Sequence, residues 1–170
     1  MLKLANLFNW HANSRYSNLN LKPCNFSEAI SANIALGIFI KKISEGKCPI
    51  ILDFDEVKSS NSNSVGVFRT KTGGTSKEPK SVLRTTQSWI SSFEVIKSLQ
   101  KEKEKYLIFG DLTHSLVLYG ALEALYLGHN VHQVKKLRSK SELKATIKFE
   151  PTFVYILSLI HISEPTRRIH

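Results

Sequence analysis

The chain has 170 residues, 42% of them hydrophobic, with 24 Lys+Arg against 14 Asp+Glu for a net charge of +10. That apolar fraction supplies a folded core and excludes wholesale disorder, and the length suits one domain or part of a larger one. No apolar run approaches the ~20 residues of a membrane span, and no secretory leader is expected because the residues after Met1 soon turn polar. Two cysteines, Cys24 and Cys48, cannot build a disulfide framework, so reduced thiols and a cytoplasmic location are expected.

The first 24 residues lack a clean period and read as irregular, with a short helix over 4–10. Asn25-Phe-Ser-Glu28 has the form of a capping box, which predicts a helix over 26–45 carrying Ala29, Ile30, Ile34, Ala35, Ile38, Phe39 and Ile43 on its apolar side. Gly46 supplies a left-handed stop. Residues 48–54 and 65–70 read as strands separated by a polar Asn/Ser-rich loop over 58–64. An amphipathic helix is predicted over 85–102, with Trp89, Ile90, Phe93, Ile96 and Leu99 on one side. A buried-type strand follows over 106–109, then an apolar helix over 115–127 ending at Gly128. A strand over 131–134, a Ser139-capped helix through 147 and a strand over 151–156 complete the pattern. Strands alternating with helices in this half predict an α/β fold with parallel pairing.

The segment Thr72-Gly-Gly-Thr-Ser-Lys-Glu-Pro-Lys80 follows a predicted strand and precedes a predicted helix. Gly73 and Gly74 allow close backbone approach to a ligand. Thr72, Thr75 and Ser76 offer hydroxyl donors, and Lys77 and Lys80 offer charge, a combination suited to a nucleoside triphosphate. Read alone, the residues suit a surface loop equally well. The dinucleotide fingerprint Gly-x-Gly-x-x-Gly is missing. A Walker A loop fails at Pro79, which stands where a glycine N–H should meet phosphate, and this disfavours a phosphate-loop kinase or NTPase.

The same nine residues resemble the phosphate-binding signature of the adenylate-forming (AMP-binding) enzymes, roughly Thr-Ser-Gly-Ser/Thr-Thr-Gly-x-Pro-Lys. Gly73 for Ser and Ser76 for Thr are mild changes, whereas Lys77 replaces the usual glycine. Gly110-Asp-Leu-Thr-His114 and the apolar helix after it resemble the family's next landmark, and Pro151-Thr-Phe-Val-Tyr155 resembles its later Pro-Thr strand. The similarity covers residues 65–156, read as a partial AMP-binding domain; residues 1–64 match only loosely.

The resemblance implies a fragment of an ATP-dependent ligase of the acyl-CoA synthetase kind. Such an enzyme adenylates a carboxylic acid and passes the acyl group to a CoA or carrier-protein thiol, with Mg²⁺ neutralising the phosphates. By the resemblance, Thr72, Gly73, Gly74, Thr75, Ser76 and Lys80 hold the ATP phosphates and His114 lines the acid pocket. The family's adenine, ribose and C-terminal lysine motifs are missing from the sequence, so the expectation for this chain is a truncated domain inactive in adenylation. A noncatalytic basic α/β module binding a polyanion or nucleotide is the alternative.

Other candidates read as structural. His129 and His132 lack metal-ligand company and read as surface residues; Asp53, Asp55 and Glu56 read as a solvated strand end. Lys135, Lys136, Arg138 and Lys140 read as a solvated face, and nucleic acid is an unlikely partner because no aromatic platform is interleaved with them. No metal site is expected. Residues 157–167, Leu-Ser-Leu-Ile-His-Ile-Ser-Glu-Pro-Thr-Arg, resemble the in-frame translation of a sequencing-library transposase adapter, so 157–170 are expected to be a non-native tail. Setting aside Arg167, Arg168 and Glu164 leaves 22 basic and 13 acidic residues, a charge of +9.

Overall fold

A computed structural model describes residues 7–52, 56–72, 79–100 and 102–156. Its central element is a five-stranded sheet in the order β2-β1-β8-β7-β9. The strands are β1 (Tyr16–Asn18), β2 (Leu21–Cys24), β7 (Lys105–Phe109), β8 (Asn130–Val134) and β9 (Phe153–Ile156). β1, β8, β7 and β9 are parallel, and β2 returns antiparallel beside β1. The predicted α/β class with parallel pairing is therefore present. Its crossovers are α4 (Ser115–Leu127), from β7 to β8, and α5 (Lys140–Lys148), from β8 to β9.

Two antiparallel hairpins sit apart from this sheet: β3 (Lys47–Ile51) with β4 (Val57–Asn61), and β5 (Val67–Thr72) with β6 (Lys80–Thr85). The remaining helices are α1 (Phe26–Ser31), α2 (Ala35–Ser44) and α3 (Thr86–Leu99).

Four expectations are corrected. The helix over 26–45 is two helices. Asn25 and Glu28 do form the reciprocal capping box, at 3.0 and 2.7 Å. But Asn33 adopts φ 53°, Asn33 N–H donates to Ile30 O at 3.1 Å, and Ile34 N–H donates to Ala29 O at 2.8 Å. These are the two bonds of a Schellman stop, in which asparagine tolerates the left-handed position normally taken by glycine. The polar loop over 58–64 contains β4, an exposed strand without apolar alternation because neither face is fully covered. The first 24 residues contain β1 and β2. Of the helix over 4–10, residues 1–6 lie outside the described set, and 7–10 are not helical.

The N-terminal stretch is nonetheless part of the core. Phe8 and Trp10 are buried, His11 N–H donates to Leu125 O at 2.9 Å, and the Ser14 hydroxyl donates to the same oxygen at 3.0 Å. This docks the segment on the last turn of α4. The main core lies between α4, α3 and the hairpins. Phe68 is fully buried there, with ring centroids 4.8 Å from Trp89, 5.3 Å from Phe8 and 5.6 Å from Phe39. The contacts with Trp89 and Phe39 are edge-on, a geometry that adds stabilisation beyond apolar burial. Among the described residues no helix is long and apolar enough to cross a membrane.

Candidate functional site

The glycine-rich segment has a different setting from the one predicted. It joins the two strands of the β5–β6 hairpin, and α3 begins only after β6. β6 escaped the sequence reading because its residues are almost all solvent-exposed, leaving no buried stripe. Gly73, Gly74, Thr75, Ser76, Lys77 and Glu78 lie outside the described residues. The two ends of the segment are defined: Thr72 pairs with Lys80, and the Thr72 hydroxyl donates to Lys80 O at 3.4 Å.

One residue before Thr72, Lys71 forms a single parallel bridge with His114. The bridge sets the loop's stem against the start of α4. His114 occupies the N-cap position with extended backbone, φ −79° and ψ 128°, and its side chain makes no capping bond. Its carbonyl accepts Leu118 N–H at 3.0 Å, and its own N–H donates to Asp111 O at 3.0 Å. The ring is half-buried, and among the described residues it makes no hydrogen bond. The first turn of α4 carries no acidic residue, so its unpaired N–H groups and positive dipole end are not neutralised from within the helix.

Asp111 opens the turn before His114. Its Oδ1 accepts Thr113 N–H at 2.9 Å and its Oδ2 meets Lys135 Nζ at 3.2 Å. Burial works against the charged form of Asp111, but the Thr113 N–H and the Lys135 ammonium outweigh it, and the carboxyl titrates below its usual range.

The histidines at 129 and 132 are buried, contrary to the surface expectation. His129 Nδ1 accepts Glu104 N–H at 3.0 Å, which leaves Nε2 to donate to Gln100 Oε1 at 2.7 Å. Gln100 Nε2 donates to the Tyr106 hydroxyl at 2.7 Å, which donates to Glu123 Oε1 at 3.3 Å. Every donor in this chain points toward Glu123, a carboxylate buried in α4. Burial raises the Glu123 carboxyl above its usual range, with the Tyr119 and Tyr106 hydroxyls pulling back part of the shift. Burial likewise lowers His129 and His132. Sequence reasoning missed this relay because its members come from separate stretches of chain: Gln100 follows α3, Tyr106 is on β7, Glu123 is on α4, and His129 lies between α4 and β8. The two cysteines are free, and both are buried. Asp53 and Asp55 lie outside the described residues, and among those described no group of three His, Cys, Asp or Glu gathers as a metal site.

The glycine-rich segment, the His-bearing turn and the apolar helix follow one another along the chain, and its homologues are acyl-CoA ligases. No protein-family model matches the chain. VraA of Staphylococcus aureus (strain COL), which carries the provisional name long chain fatty acid-CoA ligase, is 33% identical over 105 residues, 56% of this chain and 23% of VraA. YhfT of Bacillus subtilis (strain 168), an uncharacterised acyl-CoA ligase, is 29% identical over 116 residues, 61% of this chain and 24% of YhfT. Among solved structures, the amide bond synthetase McbA from Marinactinospora thermotolerans aligns with a TM-score of 0.43 at 20% identity, over 57% of this chain and 20% of McbA. The chain thus spans about a quarter of the length of the curated relatives it matches.

Proposed function

We propose that residues 65–156 are the phosphate-loop portion of an ATP-dependent, carboxylate-activating ligase, which adenylates an acid and then transfers the acyl group to a thiol. The observation that carries this reading is the Lys71–His114 bridge, which sets the stem of the glycine-rich loop against the N-terminus of α4. The donor set suits a polyphosphate: hydroxyls from Thr72, Thr75 and Ser76, the Lys80 ammonium, and glycines at 73 and 74 that let backbone N–H groups approach. When bound, ATP with Mg²⁺ supplies an electrophilic α-phosphate and a pyrophosphate leaving group.

In this reading the loop residues and Lys80 hold the β- and γ-phosphates and stabilise charge as pyrophosphate departs. His114, capping an apolar helix, orients the carboxylate through its half-buried ring. The parent enzyme acts on a carboxylic acid with CoA or a carrier-protein thiol as acceptor. The 170-residue chain, without the family's adenine, ribose and lysine motifs, does not complete adenylation alone.

Calorimetry tests the loop. Lys80→Ala removes one charge-assisted contact, and ATP affinity is expected to fall about 10-fold or more. An unchanged affinity sinks the site. ATP–pyrophosphate exchange with a panel of acids tests the rest: clear turnover by the purified chain refutes the claim of inactivity.

A further inference from the structure

We propose that the cleft at the carboxyl ends of β1 and β8 is a binding site for a small phosphate monoester, separate from the β5–β6 loop. β1 and β8 run parallel in register, Tyr16 with Val131 through Asn18 with Gln133, so they finish side by side. Their continuations then diverge. β1 turns back through Asn18 to Leu21 into β2, whereas β8 runs on through Lys135 toward α5. The divergence opens a cleft of about 400 Å³. Clefts of this size at strand carboxyl ends commonly hold small ligands in α/β sheets.

The walls define the ligand's chemistry. Lys135, Lys136 and Arg138 line one side, against a single lining carboxylate among the described residues, Glu142. Glu142 is already engaged: its Oε2 accepts the Arg138 backbone N–H, and its own N–H donates to the Ser139 hydroxyl at 3.1 Å. Lys135 is held by Asp111 at 3.2 Å. Among the described residues, Lys136 and Arg138 have no ion-pair partner, so the cleft presents two cations that a phosphate dianion would match. Leu19, Leu21 and Ile34, all half-buried, form an apolar floor for the organic part of the ligand. Among the described residues no aromatic ring lines the cleft, which removes the stacking platform that single-stranded nucleic acid requires.

The site does not depend on the ligase reading, because none of its residues belongs to the loop or to α4. Phenyl phosphate is the probe, titrated into the isotope-labelled chain and followed by amide chemical shifts. Saturable shifts are expected at residues 18–21 and 135–139. The double variant K136Q/R138Q, whose side chains are exposed, is expected to weaken binding by about fivefold or more while keeping the wild-type circular dichroism. Inorganic phosphate is expected to bind more weakly than the phenyl ester, since it cannot use the apolar floor. Shifts located elsewhere, equal affinity for the two probes, unchanged affinity in the double variant, or preferential salt-sensitive binding of mixed-sequence DNA at these residues would each overturn the proposal.

Discussion

Gly46 and Gly66 provide a matched pair for measuring how the hairpin bearing the loop is anchored. Their φ angles match, 73° and 74°, in the left-handed region. An alanine at either position therefore meets the same strain, about 1–2 kcal/mol. Their surroundings differ. A Cβ on Gly46 has nothing within 4 Å, whereas one on Gly66 falls 2.5 Å from Thr86 Oγ1 and 3.3 Å from Leu7 Cδ2. Thr86 cannot move aside freely, because it is buried and its N–H donates to Gly66 O at 2.7 Å. Overpacking of this kind adds about 1–3 kcal/mol. Gly46→Ala is thus expected to cost about 1–2 kcal/mol and Gly66→Ala about 2–5 kcal/mol. For a chain of this length each kcal/mol lowers Tm by about 2–4 °C. Urea unfolding of both variants reads the difference directly. The double variant Gly66→Ala/Thr86→Ala removes the blocking oxygen and should recover part of the excess, leaving the strain. Equal destabilisation by the two glycine substitutions, or no coupling with Thr86, would refute the steric argument.

Glu123→Gln should abolish one component of the stability–pH profile. With its folded-state carboxyl raised above the unfolded value, Glu123 contributes stability that is fully present below the unfolded value and lost as pH rises through the folded one. Wild type should therefore gain on the Gln variant as pH falls toward 4.5, and a melting-temperature gap that stays constant with pH contradicts the assignment. His129 pulls the other way: lowered by burial, it contributes stability at neutral pH that is lost as pH falls below the unfolded value of 6.5. Replacing it with phenylalanine, which keeps the stacked ring against Tyr106, should flatten that acid-side loss in thermal melts, and a profile unchanged from wild type would count against it. Asn25→Ala removes the acceptor from the α1 cap and should cost about 1 kcal/mol, read as a lower urea midpoint.

The sequence by itself determined what is local. The Asn25–Glu28 box and the Ser139 cap follow from side chains reaching their own backbone, and the extent of α4 follows from an apolar run closed by Gly128. The likeness of the loop and the His-bearing turn to the adenylate-forming enzymes was also legible there, because it lies in the order of residue types along the chain.

Only the tertiary structure decided the rest. β4 and β6 are nearly all exposed, so backbone pairing rather than a buried stripe makes them strands. His129 and His132 read as surface residues until the sheet closed over them; what buries them comes from Tyr106, Gln100, Ser17 and Phe149, remote in sequence. The Lys71–His114 bridge and the cleft beside β8 are likewise products of strand order. No periodicity encodes them, because each depends on which chain segments become neighbours after folding.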